Sequence, residues 1–193
     1  MAAGELQLDP DEVKRLLDEL RRRLDTAGIQ ARIHVIGGSA MALRFPADSE
    51  VRMTQDIDAA FQPADEVRQV IEAMAADLGL SPTWLNSNGS GFIPPRDTNG
   101  ETAAGVTLTV ATVEELIAMK LASSREQDLH DLGILARNAG ITEPERLVEI
   151  AFDAYGEDSV ILTESKDDYL IMARQSLARA RKRAIRKRRG GSY

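Results

Sequence analysis

The apolar positions of this chain change period as it proceeds, and the changes predict its elements. Val13, Leu16, Leu17, Leu20 and Leu24 recur at helical spacing, with Lys14, Arg15, Arg21 and Arg22 on the opposite face. Asp9 is placed to cap this helix, Pro10 suits its first position, and Asp11 and Glu12 complement its dipole. Ala27-Gly28 ends it. Ala31 to Ile36 reads as a buried strand, Gly37-Gly38 turns the chain, and Ser39 to Leu43 opens a helix packed on the sheet. Pro46 to Ser49 reads as a loop. Glu50 to Phe61 reads as a second strand, on which alternation places Arg52, Thr54, Asp56 and Asp58 on one face.

Farther on, Pro63 to Gly79 predicts an amphipathic helix with Val67, Val70, Ile71, Met74 and Leu78 inward. Pro82 to Leu85 reads as a short strand, and Val106 to Val110 as a half-exposed one. Asn86 to Gly105, rich in Asn, Gly, Ser and Pro, predicts a long loop of functional type. Thr112 and Glu115 form a capping-box pattern. The helix they open carries Leu116, Ile117, Met119, Lys120 and Leu121, and helical character is expected through Asp128-Leu129-His130-Asp131-Leu132 to about Asn138. Thr142 to Glu145 starts another helix that buries Leu147, Val148, Ile150 and Ala151, and a last helix runs from near Ser165 into a basic segment. The expected division is an α/β core with an N-terminal helix over 1–111 and a helical region with a basic tail over 112–193.

Composition narrows the chemistry. The 193 residues contain no cysteine, which excludes disulfides and cysteine-ligated metal sites. That fits a cytoplasmic protein. His34 and His130 are the two histidines, too few for a histidine-built metal centre. Met1 to Leu8 lacks the pattern of a signal peptide. No apolar run approaches the roughly 18 residues needed to span a membrane, so no membrane partner is expected. The net charge of -7 is unevenly spread. Arg174, Arg179, Arg181, Lys182, Arg183, Arg186, Lys187, Arg188 and Arg189 crowd the last twenty residues, where no acid occurs. An acidic body with a basic end suits a polyanionic partner, or a tail docked on the body itself.

Two stretches carry candidate chemistry. Gly37-Gly38-Ser39, after an apolar run and before a helix, lets backbone amides approach an anion with no Cβ between. The same pair also serves as a tight turn. Asp56 and Asp58, one residue apart on a strand, project two carboxylates to one side. They repel unless a cation lies between them, and oxygen ligands suit a hard cation such as Mg²⁺. They can also be two solvent-facing acids. His34, on an apolar strand, reads as structural, and His130 as a surface or packing residue. Trp84, Asn86 and Phe92 flank the long loop, where they could contact a base, although a lone Trp usually belongs to a core.

Gly37-Gly38-Ser39 followed by Asp56-Ile57-Asp58 resembles the nucleotidyltransferase superfamily that includes DNA polymerase beta, the aminoglycoside nucleotidyltransferases and the minimal nucleotidyltransferases. Gly-Gly-Ser-Ala40, Arg52-x-Thr54-x-Asp56-x-Asp58 and Glu115-Leu-Ile-Ala-Met-Lys120-Leu-Ala, with Arg125, Asp128 and Asp131, look more like the AbiEii-type nucleotidyltransferase toxins of bacterial toxin–antitoxin systems and their uncharacterised relatives. The resemblance covers roughly residues 30–138. It implies an α+β fold, a small mixed sheet flanked by helices, with a helical C-terminal part. It implies Mg²⁺ on Asp56 and Asp58, and a nucleoside triphosphate with its phosphates on Gly37, Gly38 and Ser39, near Arg52 and Thr54. Lys120 matches the family's phosphate-contacting lysine, and Asp128 its following aspartate. The chemistry implied is in-line attack by a hydroxyl on the α-phosphate, with pyrophosphate leaving.

Two departures from the family pattern stand out. Phe45 to Val51 lengthens the spacing from Ser39 to Asp56. Many members also carry a third carboxylate on a later strand, and Val106–Val110 has none. Asp97 and Glu101 in the loop, or Asp128, are the substitutes expected. The toxin-type branch implies RNA, such as a tRNA 3′ end, as acceptor, and a cognate antitoxin as partner. Arg181, Lys182, Arg183, Arg186, Lys187, Arg188 and Arg189 are the candidate phosphate-backbone contacts. Nucleotidylation of a protein or small molecule, and a non-catalytic nucleotide-binding or interaction module, remain alternatives.

Overall fold

The structure is a computed structural model that describes residues 7–95 and 105–190, with side chains through Arg186. Asp97 and Glu101 lie outside the described residues, as do the side chains of Lys187, Arg188 and Arg189. The chain divides into two compact units, one of Met1–Gly91 with Asp97–Ala111 and one of Phe92–Arg96 with Thr112–Tyr193. The fold is α+β, with a mixed four-stranded sheet and, among the described residues, seven α-helices.

The first unit opens with α1 (Pro10–Thr26). Its capping box is complete: Asp9 Oδ1 accepts from the Glu12 N–H at 2.8 Å, and Glu12 Oε2 accepts from the Asp9 N–H at 3.2 Å. The stripe Val13, Leu16, Leu17, Leu20 and Leu24 is buried, as its spacing predicts. β1 (Ala31–Val35) follows, then α2 (Gly37–Arg44), β2 (Ile57–Gln62), α3 (Ala64–Leu78), β3 (Leu85–Asn86) and β4 (Val106–Val110). The sheet order is β3-β2-β1-β4. β1 runs antiparallel to β2 and parallel to β4, and β2 runs parallel to β3. His34 bonds Thr109 across the β1–β4 pair, Nδ1 to Oγ1 at 2.8 Å, which makes it the structural histidine expected. Trp84 is buried and donates its indole N–H to the Ile71 carbonyl at 3.2 Å, so it belongs to the core.

Three expectations for this unit are corrected. The strand from Glu50 exists only from Ile57. β1 ends where the chain turns at Gly37, and the last bond across this pair runs from the Ile36 N–H to the Asp58 carbonyl at 2.9 Å. Residues before Ile57 therefore have no β1 partner. Thr54 instead bridges to Leu8 through backbone bonds of 2.7 and 3.2 Å. Arg52 and Thr54 thus lie off the strand that carries Asp58. In α3, Val70 is half-buried and Leu78 exposed, while Val67, Ile71, Met74 and Ala75 fill the inner face. The short strand lies at Leu85–Asn86 and not over Pro82 to Leu85.

In the second unit, Thr112 and Glu115 form their capping box at the start of α4 (Val113–Ser123). The long helix expected to run on to Asn138 is broken in two. Ser124 adopts φ +55, its hydroxyl donates to the Leu121 carbonyl at 2.9 Å, and α5 (Glu126–Asn138) starts after an extended Arg125. The break has a clear consequence. On a continuous helix Asp128 and Asp131 would lie about 12 and 16 Å along the axis from Lys120. Folding back at Ser124 puts both carboxylates on its ammonium. α6 (Pro144–Tyr155) and α7 (Lys166–Gly190) complete the unit. α7 packs closely on α5: a Cβ at Gly133 would sit 3.1 Å from Ala180 Cβ and from the Ser176 carbonyl.

Candidate active site

The turn and the acidic strand of the first unit are built as one piece. Gly37 opens α2 at φ +63, in the left-handed region that glycine tolerates and other residues avoid. Space demands glycine as well, because a Cβ there would lie 2.9 Å from Asp58 Oδ2. The glycine therefore lets the Asp58 carboxylate come against the backbone of the turn. At Gly38 a Cβ would meet Thr54 Oγ1 at 3.5 Å, an ordinary contact.

Asp56 sits one residue before β2 and is fixed through its backbone. Its carbonyl accepts two hydroxyls, from Ser39 at 2.9 Å and from Thr54 at 2.8 Å. Ser39 is buried, and its hydroxyl proton is thus directed at the Asp56 carbonyl while its backbone remains at the first turn of α2. Leu8 holds Thr54 from below, so the chain ahead of α1 supports the site indirectly. Gly37, Gly38, Ser39, Thr54, Asp56 and Asp58 are brought together, with Asp56 and Asp58 half-buried. Arg52 is exposed and off the strand.

Asn86 belongs to this site, a role in it that its sequence does not show. It lies on β3 in register with Asp58, and its amide donates to Asp56 Oδ2 at 2.8 Å. Its own Oδ1 accepts from the Asn88 N–H at 2.9 Å. The strand beside the carboxylates is thus β3, two residues long, and it presents an amide, while Val106–Val110, where a third carboxylate was sought, pairs with β1 on the far side of the sheet. Too brief an apolar run to show periodicity, β3 leaves its neighbour unpredictable from sequence. Among the described residues no three Asp, Glu or His side chains converge as a ready-made metal cage.

Lys120 and Asp128 are brought together in the second unit. Lys120 is buried and donates to Asp128 Oδ1 at 2.7 Å and to Asp131 Oδ2 at 2.8 Å. Asp128, fully buried, also accepts from Ser123 Oγ at 2.8 Å and from Arg125 Nε at 2.7 Å. Burial alone would raise the Asp128 carboxyl. The Lys120 charge and the bonds from Arg125, Lys120 and Ser123 outweigh it and hold that group below its usual range. Ser123 is a partner that the sequence did not single out. Asp131, given no direct role from sequence, is the second carboxylate of the cluster.

On the basic helix, Arg179 pairs with Glu126, Arg181 donates to the Thr142 carbonyl at 3.0 Å, and Arg183 contacts His130. Lys182 and Arg186 are exposed. Part of the basic segment therefore docks on its own unit.

The glycine turn seats one carboxylate while its helix, through Ser39, holds the backbone of a second, so both acids are gathered at one turn. The chain belongs to the family described as nucleotidyltransferase of unknown function (DUF6036), whose model matches residues 11–181. At the coarse level this makes it a nucleotidyltransferase-like transferase. No curated protein and no solved structure matches the chain. No helix of the described residues is long and apolar enough to cross a membrane.

Proposed function

We propose that this chain is a Mg²⁺-dependent nucleotidyltransferase that moves a nucleoside monophosphate from a nucleoside triphosphate to an acceptor hydroxyl. The observation that carries the reading is the fit of Gly37 to Asp58, a backbone shaped so that a carboxylate meets the turn. The donor set suits the cation. Mg²⁺ is commonly bound by one or two carboxylates, with water and substrate phosphates filling its shell. Asp56 and Asp58 would hold it, and when bound it supplies neutralisation of charge on the phosphate oxygens.

The chain's own groups divide the remaining work. The Gly38 and Ser39 amides, at the start of α2, bind the triphosphate. The acceptor oxygen forms a bond to the α-phosphorus in line with the bond that breaks to the β-phosphate, pyrophosphate departs, and the hydroxyl proton passes to solvent. Lys120 is the internal counterion of Asp128 and Asp131 in the conformation described. Arg125, held by Asp128 with its side chain 62% exposed, offers a second cation in the same cluster.

RNA is the acceptor in this proposal, with the exposed Lys182 and Arg186 of α7 as backbone contacts and the sequence likeness to toxin-type relatives as further support. A cognate antitoxin protein accompanies that branch. The amide at Asn86, in place of a third carboxylate, favours one other reading, a module that binds nucleotide without turnover. Incubation with Mg²⁺, labelled nucleoside triphosphates and total RNA separates them. Label on RNA that vanishes in Asp56→Ala plus Asp58→Ala is the expected result. Label on protein or a small molecule redirects the acceptor, and retained nucleotide binding without transfer establishes the module instead.

A further inference from the structure

Asn86 has two bonds that point in opposite directions, and together they define its task. The Asn88 N–H can only donate, so the Asn86 atom facing it is the carbonyl oxygen Oδ1. That fixes the amide orientation and turns Nδ2 toward Asp56 Oδ2 at 2.8 Å. Parallel pairing of Leu85 and Asn86 with Ile57 and Asp58 places the residue level with the second carboxylate. An N–H donated to a carboxylate is a charge-assisted bond, which orients its acceptor more firmly than a neutral one.

We propose that Asn86 is the positioning residue of this site: it holds the Asp56 side chain, through Oδ2, in the orientation that receives the metal–nucleotide complex. The Asx turn closed by Asn88 is the brace that keeps the amide from flipping. Asp56 is thereby fixed at both ends, its carbonyl by Ser39 and Thr54 and its carboxylate by Asn86. A neutral amide at this position also keeps the number of negative charges beside the turn down. Like charges gathered there would repel one another before any cation arrives. The consequence is a site that holds free cation weakly and gains it together with the triphosphate. This inference rests on the proposed Mg²⁺ site and goes beyond it by assigning the group that orients one ligand.

The test uses Mn²⁺ as a spectroscopic stand-in for Mg²⁺, titrated into the full chain with and without a non-hydrolysable nucleoside triphosphate and read by paramagnetic resonance. Asn86→Ala removes both bonds. Asn86→Ser keeps a hydroxyl that can close the turn on the Asn88 N–H but cannot reach Asp56. Both variants are expected to bind Mn²⁺ about 10- to 100-fold more weakly, the usual cost of losing a partner that orients a metal ligand. Asn86→Ser should melt close to the parent temperature, which separates orientation from folding. Unchanged Mn²⁺ affinity in a folded Asn86→Ser protein overturns this inference alone. Failure of the unaltered chain to bind Mn²⁺ with the triphosphate overturns the functional reading and this inference with it.

Discussion

The molecule holds two pairs of carboxylates in opposite circumstances. Asp128 and Asp131 are buried, and Lys120 satisfies both from within. Asp56 and Asp58 are half-buried, and the polar groups gathered on Asp56 are neutral hydroxyls and an amide. A buried carboxylate pair must carry its own cation, because an unpaired charge away from water is too costly to keep. A half-buried pair keeps contact with water and does not carry that demand. The contrast shows that a shared residue type says little until its surroundings are known. One pair is a fastening of the fold, and the other, in the function proposed above, is a receptor for a cation.

The strongest way to break this comparison is to remove each pair in turn. Asp56→Ala with Asp58→Ala should lower transfer by more than about 10³-fold, beyond the effect of deleting a single stabilising donor. The same change should lower the melting temperature far less than the loss of a buried ion pair, since both carboxylates are half-buried. A large fall in melting temperature would mean that these carboxylates also fasten the fold. Lys120→Met should instead cost about 3–5 kcal/mol of stability, because it takes the shared cation away from buried Asp128 and Asp131. Urea denaturation at neutral pH measures it.

The cluster also carries a signed pH dependence. The Asp128 carboxyl is held below its usual range when folded, so its contribution is complete above the unfolded value and is lost as pH falls through the folded one. Stability should therefore decline on the acid side, and Lys120→Met should weaken that decline. Parallel denaturation curves of the parent and the variant down to about pH 3 show whether they converge. Curves that stay equally far apart remove Lys120 as the cause.

A smaller effect sharpens the open site. Gly37→Ala should cost about 1–2 kcal/mol for the left-handed backbone and push Asp58 from its seat, so thermal melting and Mn²⁺ binding fall together. Loss of stability with unchanged Mn²⁺ affinity would separate the turn from the carboxylate. Smallest of all, Lys182→Glu with Arg186→Glu should reduce the salt dependence of RNA binding. Two lost phosphate contacts correspond to a slope change of about 1.4 on single-stranded RNA. Their stability effect should be slight, as both side chains are exposed. An unchanged slope would remove α7 from the RNA interface.

Much of the fold was legible before any coordinates, for local reasons. The Asp9 and Thr112 capping boxes, the α1 stripe and the Gly79 stop each depend on residues within a few positions. The Gly37-Gly38 turn and the Asp56–Asp58 pair were equally local. The length of β2 was not, because it depends on where β1 loses contact with it and on the bridge from Leu8 to Thr54. Nor was the break at Ser124. Helix periodicity continues across residues 112–138, while the corner brings Asp128 and Asp131 onto buried Lys120, contacts made between two helices.

The sequence by itself therefore determined most element types, the glycine turn and the closeness of Asp56 to Asp58, because each is encoded by neighbours along the chain. Tertiary structure alone decided which strand lies beside them, and so placed Asn86 on Asp56 across thirty residues of sequence. It also decided that Lys120 faces two internal carboxylates. Strand order and side-chain partners depend on register and burial over the whole unit, and a linear pattern carries neither.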